Sequence, residues 1–482
     1  MSDRRGPGPQ GRLPGNRVVR RRVAPQQVID IPPPPTVEAT PNAVFHARQF
    51  LGAYLVLVLL GTSLLTLPWA NASNQWTKPL DAFFTAVSAS AVTGLVVVDT
   101  QTHWSLFGEI VILALIQAGG LGFMVGASLL LTIMRQGQSL RGALLLQDGM
   151  PTMSLAEALQ LSRHILRFLL VVEAIGTISL TIYFMQYETP LKAFWHGLFT
   201  AVSAFCNAGF DLQGSFQSMA VHRDSWWLNL SIMALIQCGA LSFIVFNDIW
   251  VKRRWRLLAL DVKLVLIVNA ALIVVGTLVY LGAEWGGALG DSVHDRIRVA
   301  LFQSVSLRTA GFATVNFADL HMATLFASMA IMAVGGAAGS TAGGIKLATV
   351  GVIAVAIRAV IRGDESIQVF GRRISDVVVY RAMSVVVLYI TTHFVMTLAL
   401  SVTEQIADHS FGFVALMFET MSGLATVGLS TGITPAISDP GKLVLCLTMM
   451  IGRLGPVTLA YALQGKQHRR QYRLPDAPIR IG

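Results

Sequence analysis

The apolar residues of this chain gather into eight long runs that are separated by polar segments. Each run is long enough to cross the hydrocarbon core of a bilayer as an α-helix, which takes about 20 residues. The runs occupy residues 50–69, 104–134, 164–186, 226–250, 262–282, 318–361, 378–402 and 441–464. The pattern predicts an all-α membrane protein with eight transmembrane helices.

A shorter, half-apolar segment lies between the two members of each successive pair of runs. The four segments are 14–16 residues long, too short to span a bilayer. Backbone at this depth must keep its hydrogen bonds within the protein. We therefore expect re-entrant half-helices that enter the membrane and turn back at residues 80–93, 192–207, 296–309 and 410–425.

Each half-helix carries the same weak motif, a Phe-x-x-x-Ser pair followed by a glycine. The pairs are Phe84/Ser88, Phe199/Ser203, Phe302/Ser306 and Phe418/Ser422, and the glycine comes five or six residues later. Such a period indicates one unit copied four times. We predict four membrane–pore-loop–membrane repeats in a pseudo-fourfold ring, at residues 47–145, 146–258, 259–375 and 376–465, with tails at 1–46 and 466–482.

Composition and charge agree with a membrane protein. Only 13% of the residues are charged, against about 25% in soluble domains. The net charge of +10 is concentrated in the tails and in the loops after each pair of runs, which predicts that both termini are cytoplasmic. The tail at 1–46 is basic, proline-rich and expected to be disordered. This placement favours a lipid bilayer as the partner and argues against nucleic acid.

Four glycine loops that meet on one axis could form a selectivity filter. Rings of backbone carbonyls can replace the water around a cation, and glycine permits the required backbone conformations. The alternative, glycine for close helix packing, is disfavoured by the fourfold repetition. The predicted filter residues are Val92, Thr93, Gly94, Asn207, Ala208, Gly209, Thr309, Ala310, Gly311, Thr426, Val427 and Gly428.

The stretch "AVGGAAGSTAGGIK" (333–346) interrupts the sixth run. Five glycines within ten residues cannot hold a continuous helix, and non-helical backbone at this depth is tolerated only where protein or water satisfies its polar groups. We therefore expect this segment to line the pore just beneath the filter. We expect Lys346 to hold loop carbonyls, to repel cations or to cap a helix. The candidate functional residues of the loop are Gly335, Gly336, Gly339, Ser340, Thr341, Gly343, Gly344 and Lys346.

Three further charges lie within apolar surroundings. A charge inside a span is costly and marks a functional candidate, so Arg453 is predicted to face the pore, with snorkelling to the surface as the alternative. Arg308 precedes the third filter and Glu419 lies in the fourth half-helix. Because unpaired buried charges are unfavourable, we expect these two residues to pair behind the filter and support it.

The motifs "SAVTGL" (90–95), "SAFCNAGF" (203–210), "SLRTAGF" (306–312) and "SGLATVGLS" (422–430) resemble the four filters of the Trk/Ktr/HKT superfamily of potassium transporters. The Ktr-type membrane subunit is the closer match, since no additional helix pair precedes the first repeat. The resemblance implies a gate at 335–344 contacted by Arg453, and a homodimer in a cell membrane. It also implies a cytoplasmic ring of nucleotide-binding regulatory subunits.

The expected function is potassium uptake, with sodium dependence left open. No catalytic constellation and no cofactor site is present, so an enzyme is not expected. A sodium-selective HKT-like transporter is the first alternative, and a membrane scaffold or receptor with a structural repeat is the second. The basic segments 252–256 and 362–381 are either docking surfaces for a regulatory subunit or ordinary cytoplasmic loops.

Overall fold

The computed structural model describes residues 41–136 and 155–455, which form an α-helical bundle. The helices are α1 (Pro41–Thr66), α2 (Pro79–Ser90), α3 (Thr100–His103), α4 (Leu106–Gln136), α5 (Leu155–Phe184), α6 (Pro190–Cys206), α7 (Trp226–Lys252), α8 (Leu260–Ala283), α9 (Val293–Ser306), α10 (Met322–Met332), α11 (Leu347–Arg362), α12 (Asp376–Ile406), α13 (Phe413–Ala425) and α14 (Asp439–Leu454). Short 3-10 turns occupy Pro68–Ala70, Ser218–His222, Trp255–Leu257, Phe317–Asp319 and Thr434–Ala436.

Several helices are suited to a membrane. Within the described ranges, four helices are long and apolar enough to cross one, and they are Gln160–Phe184 in α5, then α7, α8 and α12. Shorter apolar stretches lie in α1, α4, α10 and α13. Large apolar side chains such as Ile178, Leu278 and Phe394 are exposed on the long helices. Surfaces of this kind are expected where a protein faces lipid.

The helices follow one order four times along the chain, namely a long helix, a half-helix and a second long helix, the last of which is divided into α10 and α11 in the third copy. The half-helices are α2, α6, α9 and α13, and we number the units 1 to 4. Proline opens α2 and α6, where its missing N–H costs nothing. The phenylalanine of each Phe-x-x-x-Ser pair is fully buried, which anchors the half-helices in the centre of the bundle: Phe84, Phe199, Phe302 and Phe418.

The structure differs from the sequence-based expectation in three places. Helix α1 begins at Pro41, inside the segment 1–46 predicted as a tail. Residues 364–375 contain a small antiparallel hairpin, β1 (Gln368–Val369) with β2 (Arg372–Arg373), so the chain is not wholly α-helical. Helix α7 is interrupted at Ser242, whose φ is 69°. The remainder of the predicted N-terminal tail, the C-terminal tail and the end of the last predicted span lie outside the described residues.

The glycine-rich segment separates α10 from α11, as its composition requires. We call residues 333–346 the cross-loop. Its two ends are joined by a parallel bridge between Val334 and Ile345, in which Gly335 N–H donates to the Ile345 carbonyl at 2.9 Å. The loop therefore leaves and re-enters the bundle at nearly the same place.

Polar contacts of one kind connect three neighbouring pairs of units. In each, a half-helix is joined to the second long helix of the unit before it, or to the residues that open that helix. Trp195 Nε1 of α6 donates to Glu109 of α4 at 2.6 Å, and Arg298 of α9 contacts Asp224 at 3.1 Å. Lys442 of α14 contacts Asp81 of α2 at 2.8 Å, which links the last unit to the first.

We predict that the Asp81–Lys442 pair stabilises the closed arrangement. The two side chains are 14% and 12% exposed, so replacing Asp81 by alanine should cost about 1–3 kcal/mol, between the values for exposed and buried pairs. Thermal unfolding in detergent measures this loss. Exchanging the charges, with Asp81→Lys and Lys442→Asp together, should recover part of it. The control Asp364→Ala, at an exposed position, should change little, and equal losses would contradict the prediction.

Candidate functional site

The four glycine loops share an unusual backbone. We call residues 92–94, 207–209, 309–311 and 426–428 the tip loops. Each has two positive φ angles two residues apart, at Val92 and Gly94, Asn207 and Gly209, Thr309 and Gly311, and Thr426 and Gly428. In an extended strand successive peptide groups alternate in direction. Reversing φ at every second residue allows neighbouring carbonyls to face the same side.

The tip loops form a closed ring. A Cβ atom built on Gly94 would collide with the Ala208 carbonyl of loop 2. On Gly209 it would lie 2.8 Å from the Cα atom of Gly311 in loop 3. A Cβ atom on Gly311 would collide with the Val427 carbonyl of loop 4, and one on Gly428 would collide with the Thr93 carbonyl of loop 1. Backbone meets backbone at all four contacts, so only glycine fits.

The serines of the repeated motif secure the tip loops. Ser88 and Ser422 accept the N–H of Gly94 at 3.1 Å and of Gly428 at 3.0 Å. In units 2 and 3 the hydroxyl donates instead, from Ser203 to the Phe210 carbonyl and from Ser306 to the Phe312 carbonyl. One hydroxyl in each half-helix thus fixes the chain around its glycine.

Each tip loop also carries a buried side chain with unused hydrogen-bonding capacity. In the described ranges no partner is found for the side-chain polar atoms of Thr93, Asn207, Thr309 and Thr426, although more than about 90% of buried polar groups have one. Thr93 directly precedes its glycine, whereas the other three stand two residues before theirs. Val92 occupies that position in loop 1, so Thr93 is not the equivalent of the other polar residues.

Two half-helix side chains brace the segments that follow tip loops 3 and 4. Glu419 accepts hydrogen bonds from the hydroxyls of Ser430 and Thr434, at 2.7 and 2.6 Å, and from Thr431 N–H at 2.8 Å. Gln303 holds the corresponding place in unit 3 and donates to Thr314 at 2.9 Å. The sequence analysis missed Gln303, although it follows the motif phenylalanine exactly as Glu419 does.

The predicted pair between Arg308 and Glu419 is wrong. Arg308 is fully buried and donates to the Asn269 side chain of α8. The carboxylate of Glu419 accepts its hydrogen bonds from the loop of its own unit. No ion pair joins the two among the described residues. The expectation assumed that buried charges pair with one another, but neutral hydrogen-bonding partners are used instead.

The cross-loop touches two opposite members of the ring. Thr341 donates to the Phe205 carbonyl at the base of tip loop 2, at 3.1 Å. A Cβ atom on Gly343 would collide with Thr426 of tip loop 4. Since loops 2 and 4 are not neighbours in the ring, the cross-loop passes beneath it, on the side where the half-helices end.

Two basic side chains hold the cross-loop. Arg453 of α14 is 2% exposed. It donates to the Thr341 carbonyl at 2.5 Å and to the Gly119 carbonyl of α4 at 2.7 Å. Lys346 Nζ donates to the Ala342 carbonyl at 2.6 Å and more distantly to that of Gly343. Arg453 therefore does not snorkel, and Lys346 holds loop carbonyls.

The break in α7 provides further anchors for the cross-loop. The carbonyls of Gly239 and Ala240, just before Ser242, accept hydrogen bonds from the N–H groups of Thr341 at 3.3 Å and Ala337 at 2.8 Å. The sequence gives little warning of this break, because no proline or glycine cluster marks it.

Close packing behind the ring depends on three more glycines that the sequence analysis missed. A Cβ atom on Gly119, Gly239 or Gly452 would collide with a carbonyl of the same unit, that of Ser90, Phe205 or Leu424. Each of these carbonyls lies four residues before the tip-loop glycine. The shared "ALIQ" at 114–117 and 234–237 was the signal that could have identified the first two.

Comparison with known proteins gives consistent matches. The TrkH family model, described as a cation transport protein, matches residues 37–468. The chain is 36% identical to the potassium/sodium uptake protein NtpJ of Enterococcus hirae, covering 89% of this chain and 95% of NtpJ. It is 33% identical to the Ktr system potassium uptake protein B of Bacillus subtilis, covering 92% and 98% of the two chains.

Among solved structures, the potassium transporter TrkH from Vibrio parahaemolyticus superposes with a TM-score of 0.69. The superposition covers 87% of this chain and 85% of that one, at 22% identity. A likeness at this identity shows a common fold.

We predict opposite effects of one substitution at two helical glycines. Gly239→Ala should destabilise the protein by about 1–3 kcal/mol, since its methyl group would displace the Phe205 carbonyl. Gly282→Ala, where nothing lies within 4 Å of the added atom, should be neutral or stabilise by up to about 1 kcal/mol through helix propensity. Thermal unfolding of the purified variants measures both, and equal shifts would refute the packing argument.

Proposed function

The chain belongs to the TrkH family of cation transport proteins, and from that premise we propose that it is the potassium-translocating membrane subunit of a Ktr-type uptake system. Its family and its apolar helices make it a multi-pass membrane protein. The observation that carries the proposal is the closed ring of four tip loops, in which each glycine abuts its neighbour's backbone.

The ring is proposed to act as the selectivity filter. A cation must lose water to pass a narrow protein pore, and rings of carbonyl oxygens can replace that water. The twelve tip-loop residues supply the carbonyls, and the paired positive φ angles support their common direction. The half-helices contribute their partially negative C-terminal ends. These features favour a cation over an anion.

The cross-loop and Arg453 are proposed to form the gate. The loop passes beneath the ring, so an ion leaving the filter meets it directly. Its anchors are hydrogen bonds to Phe205, Gly239 and Ala240, together with the Arg453 guanidinium. These contacts can be released without unfolding a helix, which suits a segment that opens and closes.

Potassium is proposed as the principal ion because all four tip loops keep glycine. The names of the relatives mention both potassium and sodium. Uptake should therefore be measured for both ions. Competition between the two ions in cells that lack other uptake systems separates a potassium transporter from a sodium-selective one. A scaffold or receptor would give no uptake at all.

A cytoplasmic regulatory ring and a homodimer complete the proposal. The basic segments 252–256 and 362–381 include exposed side chains, among them Arg254, Arg372 and Arg373. Under the positive-inside rule these segments face the cytoplasm, as do both termini. They are the proposed docking surface for a nucleotide-binding regulatory subunit.

The filter assignment predicts that a single tip-loop substitution abolishes uptake without preventing assembly. Gly94→Ser and Gly428→Ser each introduce a side chain where the neighbouring carbonyl lies. Both should abolish growth at limiting potassium, or shift selectivity towards sodium, in cells that lack their own potassium uptake. Gly282→Ser is the matched control and should grow like the wild type. Normal potassium uptake by both filter variants would refute the assignment.

The gate assignment predicts that Arg453→Ala raises the maximal uptake rate. Hydrogen bonds to a charged donor contribute about 1.5–3 kcal/mol each, so losing those to Thr341 and Gly119 should favour the released loop by about tenfold or more. Initial rates of rubidium uptake by reconstituted protein measure the change. Arg453→Lys keeps the charge and should have a smaller effect. Unchanged uptake across potassium concentrations would contradict the assignment.

A further inference from the structure

A buried polar cluster lies behind tip loop 2, where units 1 and 2 meet. Its centre is Glu173 of α5, which is 5% exposed. Gln117 of α4 donates to Glu173 Oε2 at 3.1 Å. The thiol of Cys206, the last residue of α6, lies 3.6 Å from Gln117 Oε1 and 3.9 Å from Glu173 Oε1. The cluster therefore connects two long helices to the end of a half-helix.

A second cluster lies behind tip loop 3, where units 2 and 3 meet. Asn269 of α8 donates to Gln237 Oε1 of α7 at 3.1 Å. The side-chain Oδ1 of Asn269 accepts a hydrogen bond from Arg308. Arg308 follows α9 and is fully buried. Again a glutamine of one unit and a polar residue of the next hold the end of a half-helix.

The two clusters occupy equivalent positions. The glutamines close the two "ALIQ" segments, and the partners on α5 and α8 each stand fifteen residues before a glutamate, Glu188 or Glu284. Cys206 and Arg308 each directly precede the first left-handed residue of their tip loop. The internal repeat thus places one three-residue arrangement at two successive junctions, with a carboxyl in one and a guanidinium in the other.

An ionisable group inside a membrane is expensive and marks a functional role. Neither Glu173 nor Arg308 has an ion-pair partner within the described ranges, so charge neutralisation does not explain them. What they share is a contact at the base of a tip loop. Both therefore act on the backbone that forms the ring.

We propose that Glu173 and Arg308 are positioning residues for tip loops 2 and 3, and that they set the discrimination between potassium and sodium. The carbonyls of the ring must stand at a distance that suits the larger ion, and their number and field decide which ion is preferred. Releasing one loop of four lets its carbonyls approach a smaller cation. The inference rests on the proposed function, since discrimination requires transport.

The test compares Glu173→Ala with Glu173→Gln in reconstituted protein. Initial rates over a range of potassium and sodium concentrations give an apparent affinity for each ion and a maximal rate. Glu173→Ala should lower the ratio of potassium to sodium affinity about tenfold, equivalent to 1.4 kcal/mol, with the maximal rate nearly unchanged. Glu173→Gln should retain most of the ratio, because its amide still accepts from Gln117.

Further variants separate positioning from general stability. Thr177→Val is the matched control, since Thr177 is buried one turn along α5 and its hydroxyl donates to the backbone carbonyl of Glu173, not to the carboxyl that holds the cluster; its ratio should equal that of the wild type. Asn269→Ala, which removes the acceptor of Arg308, should lower the ratio as Glu173→Ala does. If Glu173→Ala does not accumulate, Gln117→Leu removes the same link and should lower the ratio.

The possible failures are distinguishable. Absence of potassium uptake by the wild type would remove the proposed function, and this inference with it. An active wild type whose ratio stays unchanged in Glu173→Ala, or in Gln117→Leu in its place, would overturn the inference alone. So would an equal fall of the ratio in Thr177→Val, which would reveal a general effect of altering α5.

Discussion

The structure depends on the contact of four loops through bare backbone. At each tip-loop glycine the neighbouring loop occupies the space of a side chain, and the left-handed φ excludes most other residues as well. In a membrane protein such backbone is tolerated where protein or a water-filled cavity satisfies its polar groups. The motif serines, Glu419 and Gln303 do this locally, while buried phenylalanines hold the half-helices in place. Conformation, packing and polar satisfaction therefore constrain the same few residues.

Much of the fold could be predicted from the sequence, because a bilayer imposes simple rules on length and polarity. The family named from the four motifs is confirmed by the family model and by relatives that are at least 33% identical. The short segments predicted as half-helices coincide with α2, α6, α9 and α13 within about three residues at either end. The break between α10 and α11 lies where five glycines outweigh helix propensity.

The failures concern contacts between distant parts of the chain. Pairing Arg308 with Glu419 followed from charge alone, and nothing local to either residue shows that Asn269 and Thr431 are closer partners. The break at Ser242 is stabilised by hydrogen bonds from the cross-loop, about a hundred residues away, so its cause lies outside its own segment. Thr93 is not equivalent to the polar residues of the other tip loops, since Val92 takes the left-handed position in loop 1.

The cross-loop belongs to unit 3 alone among the described residues, and it reaches from one side of the ring to the other. A homotetramer built from one such subunit would carry four copies of this segment, and they would compete for a space that holds one. Fusing the units into a single polypeptide removes that conflict, since one repeat can acquire a cross-loop while the other three keep their original sequence. Covalent linkage thus permits a single segment that spans the ring, which exact fourfold symmetry would not allow.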